Sequence, residues 1–401
     1  MPRQQRRLYH QLCAVCCQSH NVILGDMNIG MVCPYDMIMH AGGVQECVHA
    51  LQVELTRRGH KVVIITPMPQ YYDSKVPTGT VFIGRSKRIR TPQHTSTDVA
   101  ISIDPASIDQ VLAKNKFDIV HVHEPLAPFL PMQMLPRINC PVVGTFHAAS
   151  PETILAKTIA GSIGLYVKSI LKYLDYITAV SVSATSYIDH YKHHPVTYLP
   201  NGVDLNLYHP PANLKTSSRK TILFIGRLEA RKGVKYLLKA YEQLANHTNL
   251  KLVIAGAGPD EYKLQKYVTD QNIPHVSFLG HISDSEKVKL LQKSDLFCAP
   301  ALYGESFGIV LLEAMACNIP IIAGDNPGYA SVLGGRGLLS LVNPLDTPAF
   351  SRQIELLLND EMLRKAWQQW ANTAIKTYDY KKVADQYEAV YKRALLKPTA
   401  V

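Results

Sequence analysis

The chain has 401 residues, of which 47% are hydrophobic and 18% are charged. This composition is typical of a globular protein and excludes extensive disorder. At about 100–200 residues per domain, the length predicts two domains. No run of about 18 apolar residues occurs, so the sequence predicts no membrane-spanning helix.

The net charge of +10 is shared between the two halves of the chain. A nucleic-acid-binding protein usually concentrates its basic residues on one element, so we expect no nucleic-acid partner. The one dense basic cluster comprises Arg85, Lys87, Arg88 and Arg90. Two interpretations stay open: a solvated basic loop, or a contact with an anionic partner such as phosphate or the headgroups of a membrane.

The eight cysteines are scattered, which favours thiols in a reducing cytoplasm over a disulfide framework. Cys13, Cys16 and Cys17 form a C-x-x-C-C group, but no second ligand pair follows at zinc-site spacing, so we expect no metal there. Five others lie in or beside apolar stretches, namely Cys33, Cys47, Cys140, Cys298 and Cys317.

Residues 1–26 begin with three arginines and lack the long apolar region and cleavage site of a signal peptide. Met27 stands directly before an apolar run of the kind that opens an α/β domain. We therefore expect Met27 to be the native start, and residues 1–26 to be a poorly ordered extension.

From Met27 onward, short apolar runs alternate with stretches such as Gly43–Arg58, whose apolar side chains recur at helical spacing. This alternation predicts a parallel sheet covered by helices on both faces. The predicted strands are Ile29–Cys33, Lys61–Pro67, Asp118–Glu124, Pro141–Phe146 and Tyr176–Ser181.

After a polar stretch over Asn213–Lys220, which is typical of a linker, the alternation begins again. The sequence thus predicts two Rossmann-like α/β domains, 27–200 and 201–378, facing each other across a cleft. A final helix lies in 379–401, and periodicity leaves open whether it returns to the N-terminal domain. Ligands of such sheets bind at the carboxyl ends of the strands. The second set of strands is Thr221–Gly226, Lys251–Gly256, Val276–Gly280, Asp295–Pro300 and Ile319–Gly324.

The segment Gly304–Glu313 follows a predicted strand and enters a predicted helix, with Ser306 as the expected N-cap. The N-terminus of such a helix suits a diphosphate. On one helix, Glu305 and Glu313 would be about 12 Å apart along the axis, too far for a joint acid/base role on one atom. They can instead hold different parts of an elongated ligand.

Two cations and several glycine turns lie at other predicted strand ends. Arg227 follows one strand and Lys232 precedes the next helix, where both can neutralise phosphate charge. Gly256 and Gly258 form a second turn, and Gly42-Gly43 a third. Together with Glu305 and Glu313, these features predict a phosphate-containing ligand.

On these motifs, the chain resembles the family 4 retaining glycosyltransferases of the GT-B fold. Within them it is most similar to the phosphatidylinositol mannosyltransferases that use GDP-mannose. Five further motifs carry the resemblance, which runs from about Ile29 to Tyr391: Gly30-Met-Val-Cys-Pro-Tyr35, Gly42-Gly43-Val-Gln45, His121-Val-His-Glu-Pro125, Gly144-Thr-Phe-His147 and Pro200-Asn-Gly-Val-Asp204.

The resemblance implies a role for each matching residue. Arg227 and Lys232 would hold the donor's diphosphate, Glu305 the sugar and Glu313 the ribose. Gly43 would let the backbone approach the phosphates, since a side chain there would collide. His147 would contact the sugar as a catalytic residue beside Arg227, Lys232 and Glu305, while Tyr35 and Gln45 would face the acceptor. The remaining donor contacts would be Gly256, Ile282, Lys287, Ser306, Phe307, Gly308 and Ile309.

The resemblance also implies that the anomeric configuration is retained, with the leaving phosphate taking the acceptor's proton. No Asp-x-Asp occurs, so we expect neither a catalytic metal nor another cofactor. His121 and His123 alternate along a predicted strand, but no third ligand is apparent. We therefore expect polar neighbours, not a metal, to satisfy them.

The chain departs from the phosphatidylinositol mannosyltransferases in one segment, the basic amphipathic helix that contacts the membrane in that family. The matching stretch, Asp104–Lys114, carries two acids and one lysine, so an anionic bilayer would attract it little. Either docking has moved to Arg85–Arg90 on the inner face of the membrane, or the acceptor is soluble in the cytoplasm. Ala257 stands where a cation is common, which leaves the donor nucleotide open. Alternative activities on this architecture are a nucleotide-sugar epimerase, a phosphorylase or a catalytically silent nucleotide-sugar binder.

Overall fold

The computed structural model describes residues 25–38, 42–69, 76, 78–90, 96–101, 103–148, 160–186, 188–191, 195–211, 219–244 and 249–396. Residues 1–24, including Cys13, Cys16 and Cys17, and residues 213–218 of the predicted linker lie outside these ranges. Among the described residues, every helix is too short or too polar to cross a lipid bilayer.

The N-terminal lobe is built on an eight-stranded sheet in the order β4-β3-β2-β1-β5-β6-β7-β8. All neighbouring strands are parallel except β3 and β4, which pair antiparallel. The strands are β1 (Asn28–Val32), β2 (Lys61–Met68), β3 (Thr80–Arg90), β4 (Ser96–Ile101), β5 (Ile119–His123), β6 (Val142–Phe146), β7 (Tyr176–Ala179) and β8 (Val196–Tyr198).

Within the described residues, four helices accompany this sheet. Their apolar faces pack against strands that are buried along most of their length, as a parallel sheet requires. They are α1 (Gly43–Arg57), α2 (Pro105–Asn115), α3 (Leu130–Met134) and α4 (Ala160–Leu171).

The C-terminal lobe is built on a six-stranded parallel sheet in the order β11-β10-β9-β12-β13-β14. Its strands are β9 (Lys220–Ile225), β10 (Leu250–Ala255), β11 (Val276–Phe278), β12 (Leu296–Ala299), β13 (Ile321–Gly324) and β14 (Leu341–Val342). The accompanying helices are α5 (Val234–Leu244), α6 (Glu261–Asp270), α7 (Asp284–Lys293), α8 (Ile309–Ala316), α9 (Pro327–Val332), α10 (Thr347–Asn359) and α11 (Glu361–Ala374).

All ten predicted strands are present, with ends shifted by at most two residues. The interpretation of Arg85–Arg90 as a loop was wrong, because these residues form the end of β3. Arg85 and Lys87 are exposed on either side of the buried Ser86. This alternation belongs to a strand with one solvated face, which a search for continuous apolar runs does not detect. The short strands β8 and β14 were missed for lack of length.

The final helix, α12 (Tyr380–Leu396), lies against the N-terminal sheet. Its buried residues Val383, Tyr387 and Tyr391 share a core with Ile29 of β1 and Leu51 of α1. The chain crosses back beside the segment that left the N-terminal lobe, where the amide of Val203 donates to the carbonyl of Tyr378. Both ends of the chain segment 203–378 are therefore anchored on one lobe.

Among the described cysteines, Cys33, Cys47 and Cys298 are buried free thiols, Cys317 is buried, and Cys140 is half-buried and free. The burial of four of these five side chains agrees with the prediction of thiols in apolar surroundings.

The end of β10 illustrates how close packing shapes the edge of the C-terminal sheet. Gly256 has a φ of 130°, and a methyl group there would lie 1.9 Å from the carbonyl oxygen of Gly226. Gly280, its bridge partner after β11, also has a positive φ of 65°, but a methyl group there would meet nothing within 4 Å.

We predict that Gly256→Ala lowers the free energy of unfolding by at least about 3 kcal/mol, because it adds an atomic overlap to backbone strain. Gly280→Ala, which adds strain alone, should cost about 1 kcal/mol. Urea denaturation of the two variants measures the difference, and equal losses would contradict this account.

Candidate active site

The turn after β9 brings two cations to the edge of the C-terminal sheet. The 3₁₀ turn Ala230–Lys232 ends at Gly233, which has a φ of 70° and on which a methyl group would lie 2.0 Å from the carbonyl oxygen of Pro300. Only glycine fits this close approach. The approach packs the turn against the end of β12, so Arg231 and Lys232 lie beside the chain that follows that strand.

Glu305 is the centre of the first group of charges, which we call the Glu305 cluster: Arg227, Glu229, Arg231, Lys232 and Glu305. The Oε1 atom of Glu305 lies 2.6 Å from Nη1 of Arg231 and 2.7 Å from Nζ of Lys232. Arg231 also binds Glu229 at 2.7 Å, and Nε of Arg227 lies 3.9 Å from the other Glu229 oxygen. The Glu305 side chain is only 11% exposed, whereas that of Arg227 is 48% exposed.

Helix α8 begins later than the sequence suggests. The expectation that Ser306 caps it was wrong: the helix starts at Ile309, and the preceding Gly308 has a φ of 102°, which a pattern of residue types does not reveal. Glu305 therefore precedes the helix, and the spacing of about 12 Å along one axis does not apply. The carbonyl of Ser306 accepts a hydrogen bond from Ser181 of the other lobe, and Phe307 is buried against Tyr378.

A second group, the Lys287 cluster, comprises Glu46, Asp284, Lys287 and Glu313. Nζ of Lys287 donates to Oε1 of Glu313 at 2.6 Å, and oxygens of Asp284 and Glu46 lie 3.7 and 3.8 Å from it. The same ammonium group lies 5.5 Å from the centre of the Tyr208 ring. Glu46 belongs to α1 of the N-terminal lobe, so this cluster joins the two lobes.

Burial and the close charges of the Lys287 cluster shift the pKa values of Glu46 and Lys287. Burial, together with the neighbouring charge of Glu313, raises the pKa of Glu46 to about 7 against the opposing charge of Lys287. Burial lowers the pKa of Lys287, but the surrounding carboxylates outweigh that effect and hold it above its ordinary value. Lys287 is thus a fixed cation, and Glu46 takes up or releases its proton near neutral pH.

Gly43 and Ile309 meet where the lobes face each other. A methyl group on Gly43 would lie 3.0 Å from Cδ1 of Ile309. A side chain at position 43 would therefore collide with Ile309 of the facing lobe, even without a ligand. Ile282 is half-buried just before α7, which Ser283 and Glu286 begin with a capping box. Lys287 and Ile309 both face α1 of the N-terminal lobe.

Tyr35 and Gln45 lie close together at the carboxyl end of β1. The side-chain amide of Gln45 donates to the carbonyl of Asp36 at 3.2 Å, and Thr66 donates to the carbonyl of Tyr35 at 2.8 Å. Asp36 is buried and accepts from Ser86 of β3 at 3.0 Å. These bonds hold the proposed acceptor residues against the strand that carries the basic cluster.

His147 is buried directly after β6, and the Glu124 carboxylate accepts from the backbone amides of His147 and Ala148. Nε2 of His147 lies 2.9 Å from Nδ1 of His123. Burial lowers the pKa of His147 to about 3, partly offset by the Asn201 side chain. Burial also raises the pKa of Glu124 to about 7, against the two amide bonds.

The histidines of β5 differ in their surroundings. Both ring nitrogens of His121 have partners, Tyr391 at 2.8 Å and Thr145 at 2.6 Å, which confirms the prediction of polar neighbours for this residue. His123 lies with His147 and Cys47 in a buried group whose ligand atoms are within 4.8 Å of one another. This group is not the His121/His123 pair considered from the sequence, since Cys47 and His147 lie on other parts of the chain.

The structure thus brings Arg227, Lys232 and Glu305 into one cluster, and Lys287 and Glu313 into another. Gly43 of the facing lobe lies against Ile309, which follows Glu305 on the same segment. Sequence reasoning missed Arg231, Glu229, Asp284 and Glu46. Of these, Arg231 could have been predicted, because it stands next to Lys232 in the motif. The other three are recognised only by their contacts in the folded chain.

Comparison with known proteins agrees with this arrangement. The family model described as glycosyltransferase family 4 matches residues 41–207, and that described as glycosyl transferases group 1 matches residues 209–374. The phosphatidyl-myo-inositol mannosyltransferase of Mycolicibacterium smegmatis is 33% identical over 372 residues, which cover 91% of this chain and 93% of that protein.

Solved structures show the same architecture. Sucrose-phosphate synthase from Thermosynechococcus elongatus superposes with a TM-score of 0.72 at 20% identity, covering 91% of this chain and 98% of that one. HepE from Anabaena, solved with UDP and glucose, gives 0.70 at 18% identity, covering 91% and 99%. The chain belongs to the family 4 and group 1 glycosyltransferases and has their two-domain GT-B fold.

Proposed function

We propose that the chain is a retaining, metal-independent mannosyltransferase that moves mannose from GDP-mannose to a phosphatidylinositol-type glycolipid. The N-terminal lobe, residues 27–200, binds the acceptor, and residues 201–378 bind the donor. Relatives named phosphatidyl-myo-inositol mannosyltransferase, 32–33% identical over 91% of this chain, support the choice of sugar and acceptor.

The observation that carries the proposal is the pair of charged clusters, one containing Glu305 before α8 and the other containing Glu313 within α8. The Glu305 cluster supplies three cations for a diphosphate, namely Arg227, Arg231 and Lys232. Glu305 itself accepts hydrogen bonds from hydroxyl groups of the sugar. In the Lys287 cluster, the carboxylate of Glu313 accepts hydrogen bonds from the ribose hydroxyls. An elongated sugar nucleotide has its charges and hydroxyls in this order.

The Lys287 cluster also supports guanine as the base. Guanine presents N–H donors along one edge, and ionised carboxylates only accept hydrogen bonds. Asp284 is 79% exposed beside Lys287, so its carboxylate is accessible to a base. Uracil offers a single ring N–H, so it donates fewer hydrogen bonds to such a carboxylate than guanine does.

In this mechanism the cations stabilise the charge that develops on the leaving diphosphate. The departing phosphate oxygen takes the proton of the attacking acceptor hydroxyl on the same face of the sugar, so the anomeric configuration is retained. His147 contacts the sugar from the N-terminal lobe. No step requires a metal ion.

A thermal-shift screen with GDP-, UDP- and ADP-sugars in EDTA tests the donor. A ligand present at about 100 times its dissociation constant adds roughly 2.7 kcal/mol to the folded state, so GDP-mannose should give the largest shift. The product's anomeric configuration, read by NMR, should match that of the donor. A larger shift with UDP- or ADP-sugars would exclude GDP-mannose, and an altered sugar released without acceptor would identify an epimerase.

We predict that Lys232→Ala and Glu305→Ala each lower turnover at least about 100-fold, as expected for the loss of one preorganised charge contact. Asp109→Ala is the control: this carboxylate is 63% exposed on α2, and its loss should change turnover little. Steady-state kinetics with purified variants measure the effect. Near-normal rates in both site variants would refute the site assignment.

We also propose peripheral docking on an anionic membrane through the end of β3, which includes Arg85, Lys87, Arg88 and Arg90. Arg85 and Lys87 are exposed there, and Ser86 between them connects this strand to Asp36 beside the acceptor residues. Helix α2 carries the exposed Asp109 instead, so it offers a bilayer little attraction.

The double variant Arg85→Glu/Lys87→Glu should lower binding to phosphatidylserine-containing vesicles at least about 30-fold, since each basic residue contributes about 1 kcal/mol. Lys114→Glu on α2 is the matched control and should change binding less than about 2-fold. Co-sedimentation measures both. Equal losses in the two variants would place docking elsewhere.

A further inference from the structure

Three buried histidines form a continuous stack beneath the carboxyl ends of β5 and β6. The ring centres of His121 and His123 are 4.0 Å apart, and those of His123 and His147 are 5.2 Å apart. All three are at most 5% exposed. The proposed function uses only His147, which leaves His121 and His123 without a role.

One end of the stack is fixed by α12. The hydroxyl of Thr178 donates to the carbonyl of Gly144. The hydroxyl oxygen of Thr145 lies 2.5 Å from that of Thr178 and 2.6 Å from Nε2 of His121. Nδ1 of His121 lies 2.8 Å from the hydroxyl of Tyr391, so both ring nitrogens have a hydrogen-bond partner. The orientation of the His121 ring is thus fixed by groups on β6 and α12.

The other end of the stack carries a single shared proton. Burial lowers the pKa of His121 to about 3 and that of His123 well below its ordinary range, so both rings are neutral at physiological pH. Nδ1 of His123 and Nε2 of His147 lie 2.9 Å apart, so one of them donates to the other. Because a neutral imidazole has one N–H, this choice decides whether Nδ1 of His147 donates or accepts.

Nδ1 of His147 is buried and makes no hydrogen bond of normal geometry within the described part of the chain, although the Asn201 side chain interacts with this ring. A buried polar atom without a well-placed partner costs about 1–3 kcal/mol. Since His147 lies directly after β6, at the carboxyl edge of the sheet, the sugar of the proposed function would supply a partner there.

We propose that His123 is a positioning residue: packed on His121, and through it on Tyr391 of α12, it fixes the ring orientation of His147 through the hydrogen bond between Nδ1 of His123 and Nε2 of His147. Nδ1 of His147 then meets the transferred sugar in a defined position. This inference rests on the proposed function for the role of His147 but not for the ring orientation itself. It also gives the returning helix α12 a part in the reaction.

Two substitutions of one residue separate positioning from mere packing. His123→Leu removes the hydrogen bond to His147, whereas His123→Asn places a side-chain amide near the former Nδ1 and preserves it. We expect His123→Leu to lower kcat about 10- to 100-fold, in the range of a lost positioned group. KM for the sugar nucleotide should change less than about 3-fold, because its charged contacts lie in the other lobe.

His123→Asn should restore kcat to within about 5-fold of the natural chain, even where its melting temperature falls as far as that of His123→Leu. The control His209→Leu replaces an exposed histidine and should change neither constant. Tyr391→Phe removes only the hydroxyl on His121 and should lower kcat less than His123→Leu does. If His123→Leu does not fold, Tyr391→Phe tests the inference in its place.

The ¹⁵N shifts of the histidine rings, measured without substrate, report the tautomer of His147 directly. The natural chain should show one protonated nitrogen on this ring, and His123→Leu should change that pattern. These spectra decide the inference even where GDP-mannose is not the donor. Unchanged His147 shifts in His123→Leu, or equal kcat losses in the Leu and Asn variants, would overturn it.

Discussion

The salt bridges of Glu305 join two segments at the carboxyl edge of the C-terminal sheet. One oxygen of this nearly buried carboxylate lies within 2.7 Å of two cations, Arg231 and Lys232. Taking such charges out of water is costly, and the pairing offsets the cost only while each partner is present. Removing one partner of a buried pair costs about 3–5 kcal/mol, since the other charge stays uncompensated. The turn after β9 and the segment after β12 are therefore bound to each other before any ligand arrives.

A second constraint lies between the lobes. Lys287 binds Glu313 of its own lobe and lies 3.8 Å from Glu46 of the other, while Ile309 fills the space that a side chain on Gly43 would need. Interfaces of this kind between domains allow relative motion. Any ligand that took over the partners of Lys287 would therefore change what connects the lobes.

The N-terminal lobe contributes a polar interior instead of charges. His121, His123 and His147 are neutral and buried, and α12 returns from the far lobe to place Tyr391 in hydrogen-bond contact with His121. Such networks rigidify a core when every member is satisfied. Here Nε2 of His123 and Nδ1 of His147 make no hydrogen bond of normal geometry among the described residues, while the bond between the two rings limits how His147 can turn. Tyr35 and Gln45 are held separately, through Asp36 and Thr66.

The sequence by itself determined the alternation of strands and helices, the two Rossmann-like units and the glycines at strand ends, because each depends on local periodicity or on backbone space. It also identified Arg227, Lys232, Glu305 and Glu313 as residues of one motif set. Only the tertiary structure decided which charges meet: Glu46 with Lys287, Arg231 with Glu305, and Tyr391 with His121. It also decided that α8 begins at Ile309 and that the basic cluster is a strand. The physical reason is that ion pairs and buried hydrogen bonds depend on distances between atoms far apart in the chain, whereas a sequence pattern reports only neighbours along it.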